Sequence, residues 1–218
     1  MDKIEGRNPV TEALKSNLTI EKIYVKKGEK HGSIIPIIAM AREKRIPVIE
    51  TDGRSLDEMS ETGAHEGVVA IASVAEYKTV DDILNIAEEK GEPPFILILD
   101  RIADPRNLGS IIRTANCAGV HGVIISKHDS VGLTSVCAKA SAGAVEYTPV
   151  ARVNNLAKTI EELKKQNIWV TGADASGERN LYAADLKGAV AIVIGSEGEG
   201  ISRLVLDKCD FKVKIPMK

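Results

Sequence analysis

Residues 95–119 read FILILDRIADPRNLGSIIRTANCAG. The run from Phe95 to Leu99 is apolar at every position, without the alternation of a strand that keeps one face in water. Such a strand is buried on both sides, the signature of a parallel sheet covered by helices. The run then breaks into a turn crowded with Asp, Arg, Asn and Gly before a helical pattern sets in near Leu108 and continues to Ala118. In open α/β sheets ligands bind beyond the carboxyl ends of the strands, so the turn at Asp100 to Gly109 is the first place to look for chemistry. A helix N-terminus with free N–H groups, together with Arg106 and Arg113, suits an anion such as a phosphate. The plainer alternative is that Asn107 caps the helix and Arg113 pairs with a carboxylate.

The same alternation continues downstream. It predicts strands at Val120 to Ser126, near Val145 to Val150, at Ile168 to Gly172, at Ala189 to Ile194 and at Phe211 to Ile215. Helices are expected near Thr134 to Ser141, over Leu156 to Gln166 and, briefly, over Ile201 to Leu206. After Ile194 comes a second unusual turn, Gly195-Ser-Glu-Gly-Glu-Gly200. It is neither a dinucleotide fingerprint nor a P-loop, and Glu197 and Glu199 would repel phosphates. Pliable backbone with carboxylates suits a neutral or cationic ligand, or a hydrogen bond that holds Arg113. A tight turn with Glu at a helix start is the bland reading.

Upstream, Asn8-Pro9 reads as an N-cap followed by proline at the first helical position. Val10, Ala13 and Leu14 then give a short helix one apolar face. A strand at Ile20 to Lys26, a helix at Ile34 to Lys44, an extended Ile46 to Glu50 and a strand at Val68 to Ala72 come next, the pattern of a small α/β/α module. His65 beside Glu66 reads as a surface pair. Thr79 caps a helix, Val80 to Lys90, that stops at Gly91, and Pro93-Pro94 stiffens the approach to Phe95. The expected organisation is a first domain over 1–76, a linker over 77–94 and a second domain over 95–218.

With 44% hydrophobic and 28% charged residues, and no apolar run of about 20 residues, the chain has the composition of a soluble globular protein. The N-terminus lacks the apolar core of a signal peptide, which points to the cytoplasm. Cys117, Cys137 and Cys209 are odd in number and widely spaced, against a disulfide framework or a zinc site. A net charge of -2 excludes an indiscriminate polycation. Nucleic acid could meet only local patches: Lys22, Lys26, Lys27 and Lys30, or Arg42, Lys44 and Arg45. Either could equally be a solvated face.

The segments DPRNLGSIIRTANCAG, IVIGSEGEGIS and the closing VKIPM resemble the first two motifs, and the start of the third, of the SpoU (TrmH-type) RNA ribose 2′-O-methyltransferases of the SPOUT superfamily. The likeness spans Phe95 to Met217. The opening IEGRNPVTEAL is similar to the RNA-recognition domain of the RlmB-like subgroup, which modifies a guanosine in 23S ribosomal RNA and whose domain resembles small ribosomal proteins.

The resemblance implies a deep trefoil knot in the parallel sheet, S-adenosylmethionine as cofactor, and a homodimer with its site near the subunit interface. It places Asn107, Arg113 and Glu197 at positions linked to catalysis, and Gly195, Ile215 and Met217 where the cofactor is contacted, largely by backbone. No metal is required. Arg113 would meet the reacting ribose and its phosphate, Glu197 would orient Arg113, and Asn107 would hold the loop or the substrate. The partner would be 23S ribosomal RNA or an assembling large subunit, with Tyr24 a candidate for base stacking and no membrane involved.

The family's third motif continues into a Ser-Leu-Asn-rich turn and a helix, whereas this sequence stops at Lys218. The expectation is therefore a shortened chain whose cofactor binding and catalysis are impaired. Two other readings stand beside the first: the same chemistry on transfer RNA or another ribosomal site, including antibiotic-resistance sites, and a non-catalytic RNA-binding relative.

Overall fold

The structure, a computed structural model, describes residues 3–16, 18–28 and 32–216. Lys30 and Met217, named above, lie outside the described residues. The chain divides into two compact units, 1–74 and 75–218.

The first unit is built on four strands and three helices: β1 (Lys3–Glu5), α1 (Arg7–Lys15), β2 (Ile20–Lys26), α2 (Ile34–Glu43), β3 (Val48–Thr51), α3 (Gly53–Met59) and β4 (Val68–Ala72). Its sheet runs β1-β4-β2-β3, antiparallel except for the β2–β3 pair. Val10 and Leu14 of α1, Ile34 and Ile37 of α2, and Ile23 and Val25 of β2 close one apolar core.

The start of α1 departs from the expectation. The cap residue is Gly6, at φ 90, and Pro9 falls at the third helical position. A glycine has no side chain to cap with, and a distant carboxylate takes over: Glu66 Oε2 accepts from the Arg7 backbone N–H at 3.2 Å. Glu66 is thereby drawn away from His65, whose ring pairs with Asp57 at 2.9 Å instead. The short β1 and α3 carry too few residues to show a period and were not expected.

β1 is tied down by one side chain. Glu5 accepts hydrogen bonds from the Glu61 backbone N–H and from the Ser60 and Thr62 hydroxyls. These donors, the Glu61 amide first, hold its carboxyl at about 2. A depressed acid stabilises the fold above its unfolded value of 4.5 and stops doing so as pH falls toward 2. Melting of the wild type should therefore fall more steeply with acid over that window than melting of Glu5→Gln. Identical slopes would remove Glu5 from the account.

The second unit carries α4 (Val80–Lys90), β5 (Phe95–Leu99), α5 (Pro105–Cys117), β6 (Gly122–Ser126), α6 (Ser135–Ala140), β7 (Val150–Val153), α7 (Leu156–Lys165), β8 (Trp169–Ala173), β9 (Arg179–Asn180), β10 (Val190–Ile194), α8 (Arg203–Leu206) and β11 (Phe211–Lys214). Every pairing in its seven-stranded sheet, β7-β6-β5-β10-β8-β11-β9, is parallel. The core joins Ile96, Ile98, Ile124 and Val193 of the sheet to Ile160 and Leu163 of α7.

One expectation fails here, that of a strand near Val145 to Val150, while the segment 77–94, expected as a linker helix and a Pro-Pro segment, packs within the second unit. α4 buries Ile83 in this core, and a Cβ on Gly122 would lie 2.4 Å from the Ile83 side chain. Tyr77 accepts from the Leu133 N–H through its hydroxyl and lies under the Arg152 guanidinium. The strand expected near Val145 to Val150 is instead a 3-10 turn at Ala144–Glu146, and β7 begins only at Val150. Ala142 and Gly143, at φ 50 and 87, turn the chain too tightly for a ladder to start earlier.

The cysteines divide by burial. Desolvation pushes the thiols of Cys137 and Cys209 up to about 11, with the Asp210 carboxylate adding to it at Cys209. Cys117 is exposed. Because the thiolate is the reactive form, a disulfide reagent at pH near 8 should titrate one thiol quickly in the native protein and all three after denaturation. Three fast thiols would contradict this packing.

Candidate active site

The chain lays β5, β6 and β7 outward in one direction, then crosses back to build the other side of the sheet, with β10 seated directly beside β5. The crevice at such a reversal is where ligands settle in open α/β sheets. Leu99 and Ile194, the last residues of β5 and β10, are register partners, so the two turns singled out above leave the sheet side by side.

Asp100 holds them together. It is 4% exposed, its N–H donates to the Ile194 carbonyl at 2.9 Å, and its Oδ2 accepts from the Ser202 N–H at 2.6 Å. Arg101 follows at φ 58, unusual for a residue with a Cβ, and its Nη1 donates to Glu199 Oε2 at 2.6 Å. The 196–200 turn closes on itself, with Ser196 and Gly200 exchanging backbone hydrogen bonds. Gly195 is sterically required: a Cβ there would lie 2.0–2.3 Å from backbone atoms of Gly200 and Ile201.

α5 begins at Pro105, three residues before the expected start, because Asp104 caps it and proline at the first position is preset for a helix. Asp104 Oδ1 accepts from the Arg106 N–H at 2.7 Å. The helix N-terminus thus already has a carboxylate, and the cap is Asp104 and not Asn107. Asn107 points to the neighbouring turn, its Nδ2 3.5 Å from Glu197 Oε2, the outer limit of a hydrogen bond. Gly109 lets α5 press onto α6: a Cβ there would stand 2.4 Å from the Cys137 carbonyl oxygen.

Arg113 is not brought to Glu197. It lies six residues beyond Asn107, about 9 Å along α5 and about 120° around it. Its side chain is exposed, and Glu197 meets Asn107 instead. The expectation that Glu197 orients Arg113 is therefore replaced by a Glu197–Asn107 contact, with Arg113 presented to solvent on another face of α5.

The other strand ends complete the edge. Ala173 of β8 is register partner to both Ile194 and Val213, so Gly195 and Ile215 leave the sheet two strands apart, about 10 Å. Ile215 is 53% exposed. Asp174 accepts from the Ser176 hydroxyl at 2.5 Å and its N–H at 2.8 Å, and both bonds hold its carboxyl below the usual range. Asp174 Oδ2 is 3.6 Å from where a Cβ of Gly200 would sit. Asp174, Glu197 and the Arg101-paired Glu199 thus stand about the glycine turn, with Asp100 buried beneath it. Exposed carboxylate oxygens of this kind can accept from a ligand or meet a cationic one.

Of these residues the sequence pointed to Asn107, Gly195, Glu197 and Ile215. Asp100, Arg101, Asp174 and Ser202 were missed, although a buried apolar strand that ends in Asp-Arg is itself a signal. In the first unit Lys22, Tyr24 and Lys26 alternate along one face of β2, and the Lys22 ammonium stands 5.4 Å over one side of the Tyr24 ring. Lys44 is engaged by the Leu14 carbonyl, which thins the Arg42–Arg45 patch. Among the described residues no group of three or more His, Cys, Asp or Glu is placed to hold a metal ion, and no helix is long and apolar enough to cross a membrane.

A parallel sheet whose order reverses between β5 and β10 sets these two turns where open folds of the α/β class bind ligands. Residues 94–218 match the model of the SpoU rRNA Methylase family, and residues 3–78 match that for RNA 2′-O ribose methyltransferase substrate binding. The chain belongs to the SpoU rRNA methylase family. YacO of Bacillus subtilis, named as a candidate TrmH family tRNA/rRNA methyltransferase, is 47% identical over 216 residues, which is 99% of this chain and 86% of that protein. A Staphylococcus haemolyticus protein of the same description is 46% identical, over 98% of this chain and 86% of its own.

The fold is shared with the SpoU methyltransferase AviRb of Streptomyces viridochromogenes, solved with AdoMet. Its TM-score is 0.59 at 22% identity, covering 99% of this chain and 81% of that one. It is shared too with an AdoMet-bound rRNA methyltransferase of Sinorhizobium meliloti, at a TM-score of 0.58 and 22% identity, covering 99% and 78%.

Proposed function

We propose that this chain methylates a ribose 2′-oxygen of RNA, with S-adenosylmethionine as donor and a guanosine of 23S ribosomal RNA as target. The observation that carries the reading is the pairing of the two turns at the reversal of the sheet, where Asn107 meets Glu197 beside the Gly195 backbone. The carboxylates near the turn would suit a sulfonium cation, and Gly195 and the exposed Ile215 would bond an adenosyl group through backbone, a reading supported by their positions at strand ends on either side of β8. Met217 is proposed as a further contact.

The donor, when bound, supplies an electrophilic methyl group. The residues of this chain do the rest. The ribose hydroxyl is a poor nucleophile until its proton is drawn off, and a guanidinium, with a pKa above about 12, stays charged. Arg113 is therefore assigned to the ribose and its phosphate, where its charge would stabilise alkoxide character as the 2′-oxygen bonds to the methyl carbon in line, the S–CH3 bond breaks to leave S-adenosylhomocysteine, and the hydroxyl proton passes to water. Its free exposure on α5 leaves it available to RNA. Asn107, held by Glu197, orients the loop against the substrate.

The wider assembly follows the same reading. The first unit would bind the RNA around the target, acting in the cytoplasm on ribosomal RNA or an assembling large subunit. A homodimer with the site near its interface is supported by the exposed Val136 on α6 and by Tyr147, in the segment that Thr148 ties to Asn116 of α5. A knot is supported by the insertion of β10 and β11 between earlier strands and by Gly177, where a Cβ would lie 2.4 Å from the Val213 carbonyl carbon. The relatives' names carry both RNA types, and transfer RNA is the second reading.

The test is transfer of labelled methyl to unmodified 23S ribosomal RNA and to transfer RNA, with the modified atom mapped. A single guanosine 2′-O-methyl in 23S ribosomal RNA is expected. Label in transfer RNA alone would move the target, and absence of both transfer and donor binding would overturn the reading.

A further inference from the structure

We infer that Arg101 is a positioning residue: through Glu199 it holds the 195–200 turn in the shape that receives the methyl donor. The inference rests on the reading given under Proposed function. Arg101 is not one of the residues that the motif resemblance connects with catalysis, and its place in the fold is what singles it out.

Two features of Arg101 run against stability. Its backbone sits at φ 58, in the left-handed region that residues with a Cβ avoid. Its Nε is buried with no hydrogen-bond partner. Its nearest further carboxylate oxygen, Asp100 Oδ2, is 4.0 Å away, too far for a hydrogen bond to Nε, and already accepts from the Ser202 N–H. Strained backbone and an orphaned buried donor persist where the surroundings over-determine them, and they cluster at functional sites.

What the strain achieves is a grip. Asp100 and Arg101 hold the chain at Ile194, Glu199 and Ser202, before, within and after the glycine turn. Backbone bonds to Asp100 fix the two ends, and Glu199 is the only one of the three gripped within the turn. Its carboxylate is 75% exposed and lies against an Arg that is 32% exposed, so the pair can be broken without opening the core. Released from Arg101, the tip carrying Glu197, Gly198 and Glu199 is left to the Ser196–Gly200 bridge, the 3.3 Å bond from the Glu199 N–H to the Ser196 hydroxyl and the 3.5 Å contact of Glu197 with Asn107, all of them weaker than a charge-assisted pair. Both the Gly195 floor and the Glu197–Asn107 contact depend on that tip.

The experiment compares the full chain with Arg101→Gly, Glu199→Gln and the double variant in three readouts: melting temperature, amide exchange of residues 196–202, and S-adenosylmethionine affinity by calorimetry. Glycine accepts φ 58 without strain, so Arg101→Gly should melt no lower than the wild type. Loss of a charge-assisted hydrogen bond should nevertheless speed exchange of 196–202 and weaken the donor about tenfold in each single variant. The double variant should add nothing further, since both changes cut one link. Arg101→Lys, which keeps the charge, should recover part of both losses.

Exchange at 196–202 unchanged in both single variants would overturn the inference whatever the donor does. So would donor affinity that falls only in step with melting temperature. If the wild type binds no donor while exchange in the variants rises as stated, the grip stands as the structure draws it and the function assigned to the site falls.

Discussion

Gly195→Ala is expected to abolish donor binding and to lower the melting temperature of the second unit. The added Cβ would be 2.0–2.3 Å from backbone atoms of Gly200 and Ile201, which have no rotamer to change. Over-packing that only the backbone can relieve is at the upper end of its usual range, about 3 kcal/mol, or about 6–12 °C in a protein of this size. The movement that relieves the clash must open the Ser196–Gly200 bridge, so the site suffers more than the fold. Gly198→Ala is the control in the same turn, because a Cβ there meets nothing within 4 Å. Calorimetry of donor binding and thermal melting of both variants check this. A Gly195→Ala protein that binds the donor normally would show that the turn is not the cradle.

Arg113→Ala is expected to behave in the opposite way, with stability untouched and transfer lost. The side chain is exposed, so its removal should change stability by no more than about 0.5 kcal/mol. If its charge meets the developing alkoxide, kcat should fall about 10²–10³-fold, the usual effect of deleting one such donor. Arg113→Lys should recover little, because an ammonium lacks the planar fork that meets a phosphate and a ribose together. Single-turnover transfer with saturating donor reads this directly. An Arg113→Ala protein with wild-type kcat would assign the chemistry to another residue.

The contrast between these variants mirrors how each residue could be read. Phe95 to Leu99 and Ala189 to Ile194 declare a buried parallel sheet because burial on both faces leaves no polar position in the run. The two turns after them stand out because they follow such strands. Asn107, Gly195 and Glu197 were legible on those grounds together with their motif resemblance. Arg101 was not, since its meaning lies in a partner 98 residues away and in a φ value that no composition reveals. Asp174, whose hydrogen bonds go to its near neighbour Ser176, was hidden because only the fold brings it beside Gly200. Glu197 was legible as a site residue but not in its contact, which goes to Asn107 and not to Arg113.

The misread helix starts have different causes. Asn8-Pro9 and Asn107 both look like local helix starts, yet Gly6 with a distant Glu66 begins one helix and Asp104 begins the other. At α1 the tertiary fold brings the acceptor within reach, whereas at α5 the local Asp104-Pro105 pair supplies it. The helix α4 resembles a spacer until Gly122 opens the space into which Ile83 packs.

What the sequence determined by itself is local: which runs are apolar on both faces, where turns must fall, and which residue types stand at strand ends, because periodicity and backbone preference act over a few residues. The tertiary structure alone decided that β10 lies beside β5 and that Asp100 binds the turn after β10. It alone placed Arg113 apart from Asn107 and Glu197. Strand order and long-range ion pairs depend on how the whole chain closes its core, a global choice that no short stretch records.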